Sequence, residues 1–176
     1  MAAKKRFFGM DVISVGLTML PFVQIIVGVY LLLGVSQIEL VAYAGVGLYI
    51  FSGLIFGMLP VFTFRRKGEV PPGKNYMHTT QLVDTGVYAI VRHPQFVTWI
   101  LWAIAGMLVF QHWIVVVLGI PVIVMTYYDL LRADTRLIHK FGDEYTEYMQ
   151  RVPRANFIVG ITRILRVKKK NRLNKS

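Results

Sequence analysis

The chain has 176 residues, of which 55% are hydrophobic, and it carries a formal net charge of +11 with no cysteine. This apolar share exceeds that of soluble domains, and the mean hydropathy of +0.53 agrees with an integral membrane protein. The missing cysteines exclude disulfides, thiolate catalysis and cysteine-ligated metals, and the four histidines show no ligand spacing. We therefore expect no metal site.

The first two predicted elements are transmembrane helices over residues 12–34 and 40–64. Neither stretch contains a charged residue, and each can cross a hydrocarbon core of about 30 Å at about 1.5 Å per residue. A polar connector over residues 65–86 follows and contains a Pro-Pro-Gly sequence at 71–73, which opposes helix. The pattern predicts a cytosolic loop between the second and third spans.

A C-terminal helical hairpin is predicted over residues 87–110 and 113–131. Its apolar stretches are short, and they reach membrane length only if the hairpin also contains Arg92, His93 and Asp129. Counted from the turn between the helices, Arg92 and Asp129 return to a similar depth, so we expect them to be neighbours. Charged residues beside lipid are costly, which makes this hairpin the candidate functional region.

The residues after the hairpin predict amphipathic helices over 134–166 and a basic tail over 167–176. Apolar residues recur there at helical spacing, so these helices are expected at the membrane interface, with the hydroxyls of Tyr145 and Tyr148 in water. Together the predicted elements make an all-α integral membrane protein with about four transmembrane helices. We expect a single membrane domain over residues 1–176, and no feature indicates an oligomer.

Basic residues lie on one side of the predicted topology. They precede the first span, occur in the connector and follow the fourth span, whereas the two opposite turns contain no Lys or Arg. Because cytosolic loops carry the excess of Lys and Arg, both termini of this multi-pass protein are expected in the cytosol. Membrane lipids are the expected partners, and the charge requires no nucleic acid because anionic headgroups also attract basic residues.

Two motifs flank the predicted hairpin. The first is Gly-x-Tyr-x-x-x-Arg-His-Pro at residues 86–94, and the second is Phe-Gly-x-Glu-Tyr-x-x-Tyr at residues 141–148. In this combination, over residues 80–154, the chain resembles the isoprenylcysteine carboxyl methyltransferase and phospholipid methyltransferase superfamily. The resemblance implies S-adenosylmethionine as cofactor, held by the hairpin and the C-terminal helix. It also implies a lipid-like or isoprenoid-linked small-molecule acceptor that enters from the membrane.

The resemblance implies site residues as well. The positions carried over as cofactor contacts are His93, Pro94, Gln95, Phe96 and Leu101. By side-chain chemistry, Asp134 is expected to hold the amino groups of the cofactor, and Arg92 or Arg132 to position an anionic acceptor. Arg92, Arg132 and Asp134 are therefore the predicted catalytic residues.

Departures from the family pattern leave alternatives open. Asp129 stands where the family pattern has Arg, and Ala133 stands where it has Glu. Phe96 stands where the family usually has tyrosine. One alternative is a non-catalytic membrane protein of the same fold. Another is an NADPH-dependent membrane reductase related to sterol reductases, which share an Arg-His-Pro motif. From the residues alone, Arg92 and Asp129 can also simply neutralise each other between two helices.

Overall fold

The structure, a computed structural model, describes residues 6–7, 10–31, 38–69 and 80–173. In chain order, the helical elements are α1 (Val12–Leu31), α2 (Glu39–Ser52), a π-helical segment (Gly53–Met58), α3 (Leu59–Lys67), a 3-10 turn (Gly86–Ala89), α4 (Pro94–Phe110), α5 (Trp113–Phe141), α6 (Asp143–Arg151) and α7 (Phe157–Leu173). Two strands of two residues each, β1 (Arg6–Phe7) and β2 (Met10–Asp11), pair antiparallel before α1. The predicted helical class is confirmed, with this strand pair as an addition. Residues 32–34 of the first predicted span, the Pro-Pro-Gly sequence and the last three residues of the tail lie outside the described residues.

Two stretches of the described chain are long and apolar enough to cross a membrane. They are Glu39–Lys67 and Trp113–Phe141, while Met19–Leu31 and Pro94–Phe110 are shorter apolar helices. Helices α1, α2 and α5 expose many large apolar side chains, a surface that a lipid environment covers. Two of the four predicted spans thus have candidate helices of full length, and the count of four stays a prediction.

Helix α4 begins at Pro94, later than the start at residue 87 that the third predicted span required. The residues before it form a 3-10 turn and then an irregular segment. Proline disfavours the helical conformation of the residue that precedes it, and it suits the first turn of a helix. The backbone N–H groups of Arg92 and His93 donate to another segment instead of continuing a helix.

Helix α5 is longer than the fourth predicted span. It continues past residue 131 to Phe141 and includes the start of the predicted interfacial region. No glycine or proline interrupts residues 131–141, so nothing in the backbone ends the helix there. Gly142 ends it with φ 58° and ψ −131°, a conformation that residues with a Cβ rarely adopt, and α6 begins directly afterwards.

The chain divides into two compact units, residues 1–53 with 98–132 and residues 54–97 with 133–176. In the first unit, the fully buried side chain of Gln24 on α1 joins two other helices. Its Nε2 donates to the carbonyl oxygen of Ala103 on α4 at 3.1 Å and to that of Val115 on α5 at 3.2 Å. The prediction of a single domain stays a prediction.

The second unit has an aromatic core on α6. Tyr145, Tyr148 and Val152 are buried together, and the side chains packed against them are Leu82, Leu137, Phe141 and Met149. Aromatic pairs extend this packing to other elements, with ring centroids 4.6 Å apart for Phe64 and Tyr88 and 5.3 Å apart for Phe56 and Phe157. This unit contains the residues of both sequence motifs.

We expect Gln24→Leu to lower the free energy of unfolding by about 1 kcal/mol, because it removes two interhelical hydrogen bonds and leaves an apolar side chain. Ile26→Leu is the matched control, since Ile26 is 68% exposed on the same helix. Thermal unfolding of both variants in one detergent measures the difference. Equal midpoints for the two variants would contradict the role of Gln24.

Candidate functional site

Asp134 on α5 is the centre of a buried polar cluster, with 3% of the residue exposed. Its Oδ1 accepts hydrogen bonds from His93 Nε2 at 2.6 Å, from the Tyr145 hydroxyl at 2.6 Å and from Arg92 Nη1 at 3.3 Å. Its Oδ2 accepts from Arg154 Nε at 2.7 Å. Because an ionised carboxylate only accepts, His93 Nε2 carries the hydrogen in this contact. Four donors thus compensate the burial of one charge.

Backbone hydrogen bonds bring the two arginine segments of the cluster together. The N–H of Arg92 donates to the carbonyl oxygen of Pro153 at 3.0 Å, and the N–H of His93 donates to that of Arg154 at 3.2 Å. Pro153 has no N–H and keeps the residue before it out of the helical conformation, so α6 ends just before this segment. The Arg-His-Pro motif and the Val-Pro-Arg segment therefore form one backbone unit beside Asp134.

The tyrosines of the second motif point inward. Tyr145 and Tyr148 are 1% and 2% exposed, and the Tyr148 hydroxyl donates to the carbonyl oxygen of Tyr88 at 2.6 Å. Burial raises the pKa of Tyr145, and its hydrogen bond to Asp134 raises it further, so the hydroxyl stays protonated and donates at neutral pH. The expectation that both hydroxyls lie in water is wrong, because helical spacing identifies the apolar face but not the polar partner beneath it.

The cluster has a surplus of positive charge. Among the five residues of the cluster, Arg92 and Arg154 carry two positive charges and Asp134 carries one negative charge, even with a neutral His93. Arg92 is 8% exposed, and its buried Nε has no hydrogen-bond partner among the described residues. The Arg154 side chain is 35% exposed and borders the solvent. Such a site favours an anionic ligand, which arginine binds with parallel hydrogen bonds.

The structure brings together three of the residues selected from the sequence, namely Arg92, His93 and Asp134. The ion pair of Arg92 is with Asp134, and the expected proximity of Arg92 and Asp129 stays a prediction. The estimate of depth assumed that residue 92 belongs to the helix. Since α4 begins at Pro94, that count does not apply to Arg92.

The other predicted residues lie elsewhere or next to the cluster. The guanidinium of Arg132 lies 4.9 Å from the ring centroid of Tyr128, one helical turn away, and is not among the ion-pair partners of Asp134. Among the predicted cofactor contacts, Pro94 is buried and Gln95 is half-buried. Phe96 is also half-buried, and its ring lies edge-on to His93 with centroids 5.7 Å apart. Leu101 lies further along α4, and its role stays a prediction.

Sequence reasoning missed Tyr145 and Arg154 as partners of Asp134. One indication was available, because a tyrosine on the apolar face of a helix requires a hydrogen-bond partner for its hydroxyl. The Val-Pro-Arg segment gave a weaker indication, since it places a cation directly after a helix that carries one of the motifs.

These features define a class: a helical protein with candidate membrane spans and a buried polar cluster in which two arginines pair with one carboxylate. Residues 74–158 match the isoprenylcysteine carboxyl methyltransferase family, a range that includes all five residues of the cluster. The resemblance to the superfamily seen in the two motifs is thereby confirmed over this part of the chain.

Among individual proteins, the chain is 34% identical over 111 residues to the protein-S-isoprenylcysteine O-methyltransferases of Mus musculus and of Homo sapiens. Each match covers 55% of this chain and 38% of the relative. The protein of the same name from Schizosaccharomyces pombe is 25% identical over 99 residues, which are 51% of this chain and 42% of that relative. The chain thus matches less than half the length of these relatives. No solved structure matches the chain significantly.

We expect Tyr145→Phe to lower the free energy of unfolding by about 2 kcal/mol and Tyr148→Phe by about 1 kcal/mol, because a hydrogen bond to a charged acceptor contributes more than one to a neutral acceptor. The two variants are matched, since each removes one buried hydroxyl from α6. Denaturant unfolding in one detergent compares them. A larger loss for Tyr148→Phe would show that the charge of Asp134 does not determine the difference.

Proposed function

We propose that this protein is an integral-membrane methyltransferase that uses S-adenosylmethionine and methylates the carboxylate of a lipid-like, isoprenoid-linked acceptor at the cytosolic face. The observation that carries the proposal is the positive surplus around Asp134, where two arginines and a histidine contact one carboxylate. The names of the relatives support the same reaction, since they are protein-S-isoprenylcysteine O-methyltransferases.

The charge of the cluster selects among acceptors. A carboxylate offsets the positive charge of the cluster, and the guanidinium of Arg154 borders the solvent, from which such a group can approach. An amine acceptor in its charged form would add a like charge and be repelled. The sequence left the acceptor open. The positive charge of the cluster favours a carboxylate, whose oxygen is then the nucleophile.

The residues of the cluster also fit the proposed cofactor. The buried Nε of Arg92 lacks a partner among the described residues, and S-adenosylmethionine has a carboxylate that accepts such a donor. We assign Arg92 and His93 to that end of the cofactor and the half-buried Gln95 and Phe96 to the remainder. When bound, the cofactor supplies an electrophilic methyl group for an in-line displacement. The protein contributes by aligning the reactants and excluding water.

Asp134 has a different role in this proposal from the one expected from the sequence. Both of its oxygens already accept hydrogen bonds from protein donors, so it is poorly placed to bind the amino groups of the cofactor. Its contacts hold Arg92, His93 and Arg154 in fixed positions. We therefore assign Asp134 as a positioning residue for the arginines and His93.

A non-catalytic protein of the same fold is the second candidate. It is favoured by Asp129 and Ala133, which replace the residues that family members have at these positions. The cluster around Asp134 is complete without either of them, because its donors come from other positions. Cofactor binding separates the two candidates.

We expect Arg154→Gln to raise the KM for an S-prenylated cysteine with a free carboxylate by roughly tenfold, because a charge-assisted hydrogen bond contributes about 1.5–3 kcal/mol. Arg151→Gln is the matched control, since Arg151 lies three residues earlier with its side chain 61% exposed. Transfer of a labelled methyl group in detergent measures both variants. The carboxamide of the same substrate tests whether the carboxylate is the acceptor.

Calorimetric titration of the purified chain with S-adenosylhomocysteine, and separately with NADPH, tests the cofactor. Saturable binding of the former alone is the expected result, and Arg92→Gln should weaken it. Binding of NADPH alone would favour a reductase, and the absence of binding by either would favour the non-catalytic candidate. Either of these results would contradict the proposal.

We also propose the four-span topology with both termini in the cytosol. It is supported by two candidate spans of full length and by the absence of Lys and Arg from the turns at residues 35–39 and 111–113.

Because the chain contains no cysteine, single cysteines report the topology without background. We expect Ser36→Cys to react with a membrane-impermeant maleimide in intact cells and Lys169→Cys to react only after permeabilisation. The cysteine-free parent is the control. The reverse pattern, or reaction of both cysteines from outside, would overturn this topology.

A further inference from the structure

The inner face of α7 contacts the segments that carry the two arginines of the site. Gly160 is buried and Arg163 is half-buried, whereas most of their neighbours on this helix are exposed. Both residues follow the range 74–158 that matches the family. The contacts they make were not expected from either sequence motif.

Arg163 joins two segments with one side chain. Its Nη2 donates to the carbonyl oxygen of Ala89, and its Nη1 donates to that of Arg151. Ala89 lies three residues before Arg92, and Arg151 lies three residues before Arg154. The guanidinium of Arg163 therefore connects the starts of the two short segments that end in Arg92 and Arg154.

Both acceptors are carbonyl groups at the end of a helical element. Ala89 is the last residue of the 3-10 turn, and Arg151 is the last residue of α6. Carbonyl groups at such ends lack partners within the helix and carry partial negative charge, so a cation is favoured there. A planar guanidinium has separate N–H groups for two acceptors in fixed directions, which an ammonium group does not provide.

Gly160 allows the close approach that this contact needs. A Cβ at this position would overlap the backbone carbonyl of Ile90, so α7 lies in direct backbone contact with the segment just before Arg92. The two segments are also paired on the side of the site, where Arg92 and His93 donate to the carbonyl groups of residues 153 and 154. Arg163 adds a second connection at the opposite end of each segment.

We propose that Arg163 is a positioning residue that sets the spacing of Arg92 and Arg154 on either side of Asp134 without entering the site. This inference rests on the proposed function only for its effect on methyl transfer. Arg163 binds the backbone carbonyl three residues before each of the two arginines, and Asp134 binds the side chains of the arginines themselves. The spacing of the two cations is thereby determined from two directions.

The test compares Arg163→Lys with Arg166→Lys. Arg163→Lys keeps the charge but loses the two guanidinium N–H groups that bind the two carbonyls, and Arg166 is an exposed arginine on the same helix. Hydrogen exchange of the full chain in detergent, followed by mass spectrometry, reads the two segments without any assay of activity. We expect Arg163→Lys to speed exchange in peptides that cover residues 86–93 and 150–156. Exchange in residues 98–110 should stay unchanged, and Arg166→Lys should match the parent chain throughout.

Kinetics provide the second measurement. If Arg154 binds the acceptor carboxylate, Arg163→Lys should raise the KM for the prenylated carboxylate roughly tenfold while kcat stays within about twofold, which is the pattern of lost binding. Gly160→Ala, which displaces α7 from Ile90 and leaves Arg163 intact, should change exchange in the same peptides. Arg166→Lys should leave both kinetic constants unchanged.

Each outcome decides the proposal. Parent-like exchange in Arg163→Lys would overturn it, and so would faster exchange spread evenly over the whole chain, because that would indicate a general loss of stability. Local exchange changes with no methyl transfer by the parent chain would support the positioning role and contradict the proposed function instead. Local exchange changes with an unchanged KM would show that Arg163 orders the segments without setting the cation spacing, which overturns the proposal.

Discussion

The second compact unit depends on one buried carboxylate. Taking the charge of Asp134 out of water costs several kcal/mol, and donors from three places in the chain offset that cost. The dependence is mutual, because Arg92 and His93 are also buried and would lose their carboxylate partner without Asp134. The segment before α4, helix α6 and the segment after α6 therefore have one arrangement that satisfies all of these groups together.

The elements around this carboxylate differ in what they contribute. Gly142 permits the sharp change of direction between α5 and α6, so that Tyr145 returns over the helix that carries Asp134. Pro94 begins α4 and Pro153 follows the end of α6, so the short segments beside these prolines are irregular and their backbone groups pair with each other. Few side chains in the cluster are then free to adopt another rotamer, as a site that aligns two reactants requires.

The positive surplus connects this architecture to function. Two arginines pair with one carboxylate in the cluster, and the proposed function uses this excess of cations over carboxylates to bind an anion. The Nε of the buried Arg92 has no hydrogen-bond partner among residues 6–7, 10–31, 38–69 and 80–173, and Arg154 borders the solvent. In the proposed function, the buried arginine binds the carboxylate of the cofactor and the arginine at the solvent border binds that of the acceptor.

The sequence by itself determined the helical class, the resemblance to the superfamily and three members of the cluster, because hydrophobic run length and the spacing of motif residues are local properties of the chain. It could not determine which carboxylate pairs with Arg92. Counting residues from the hairpin turn placed Arg92 at the depth of Asp129. That count assumed a helix through residue 92, whereas α4 begins at Pro94 and Arg92 pairs with Asp134. Only the tertiary structure showed that Tyr145 and Arg154 complete the cluster and that Arg163 supports it, since these contacts join residues 11 to 74 positions apart. Such contacts depend on how helices pack and where a chain turns, and no pattern along one segment encodes them.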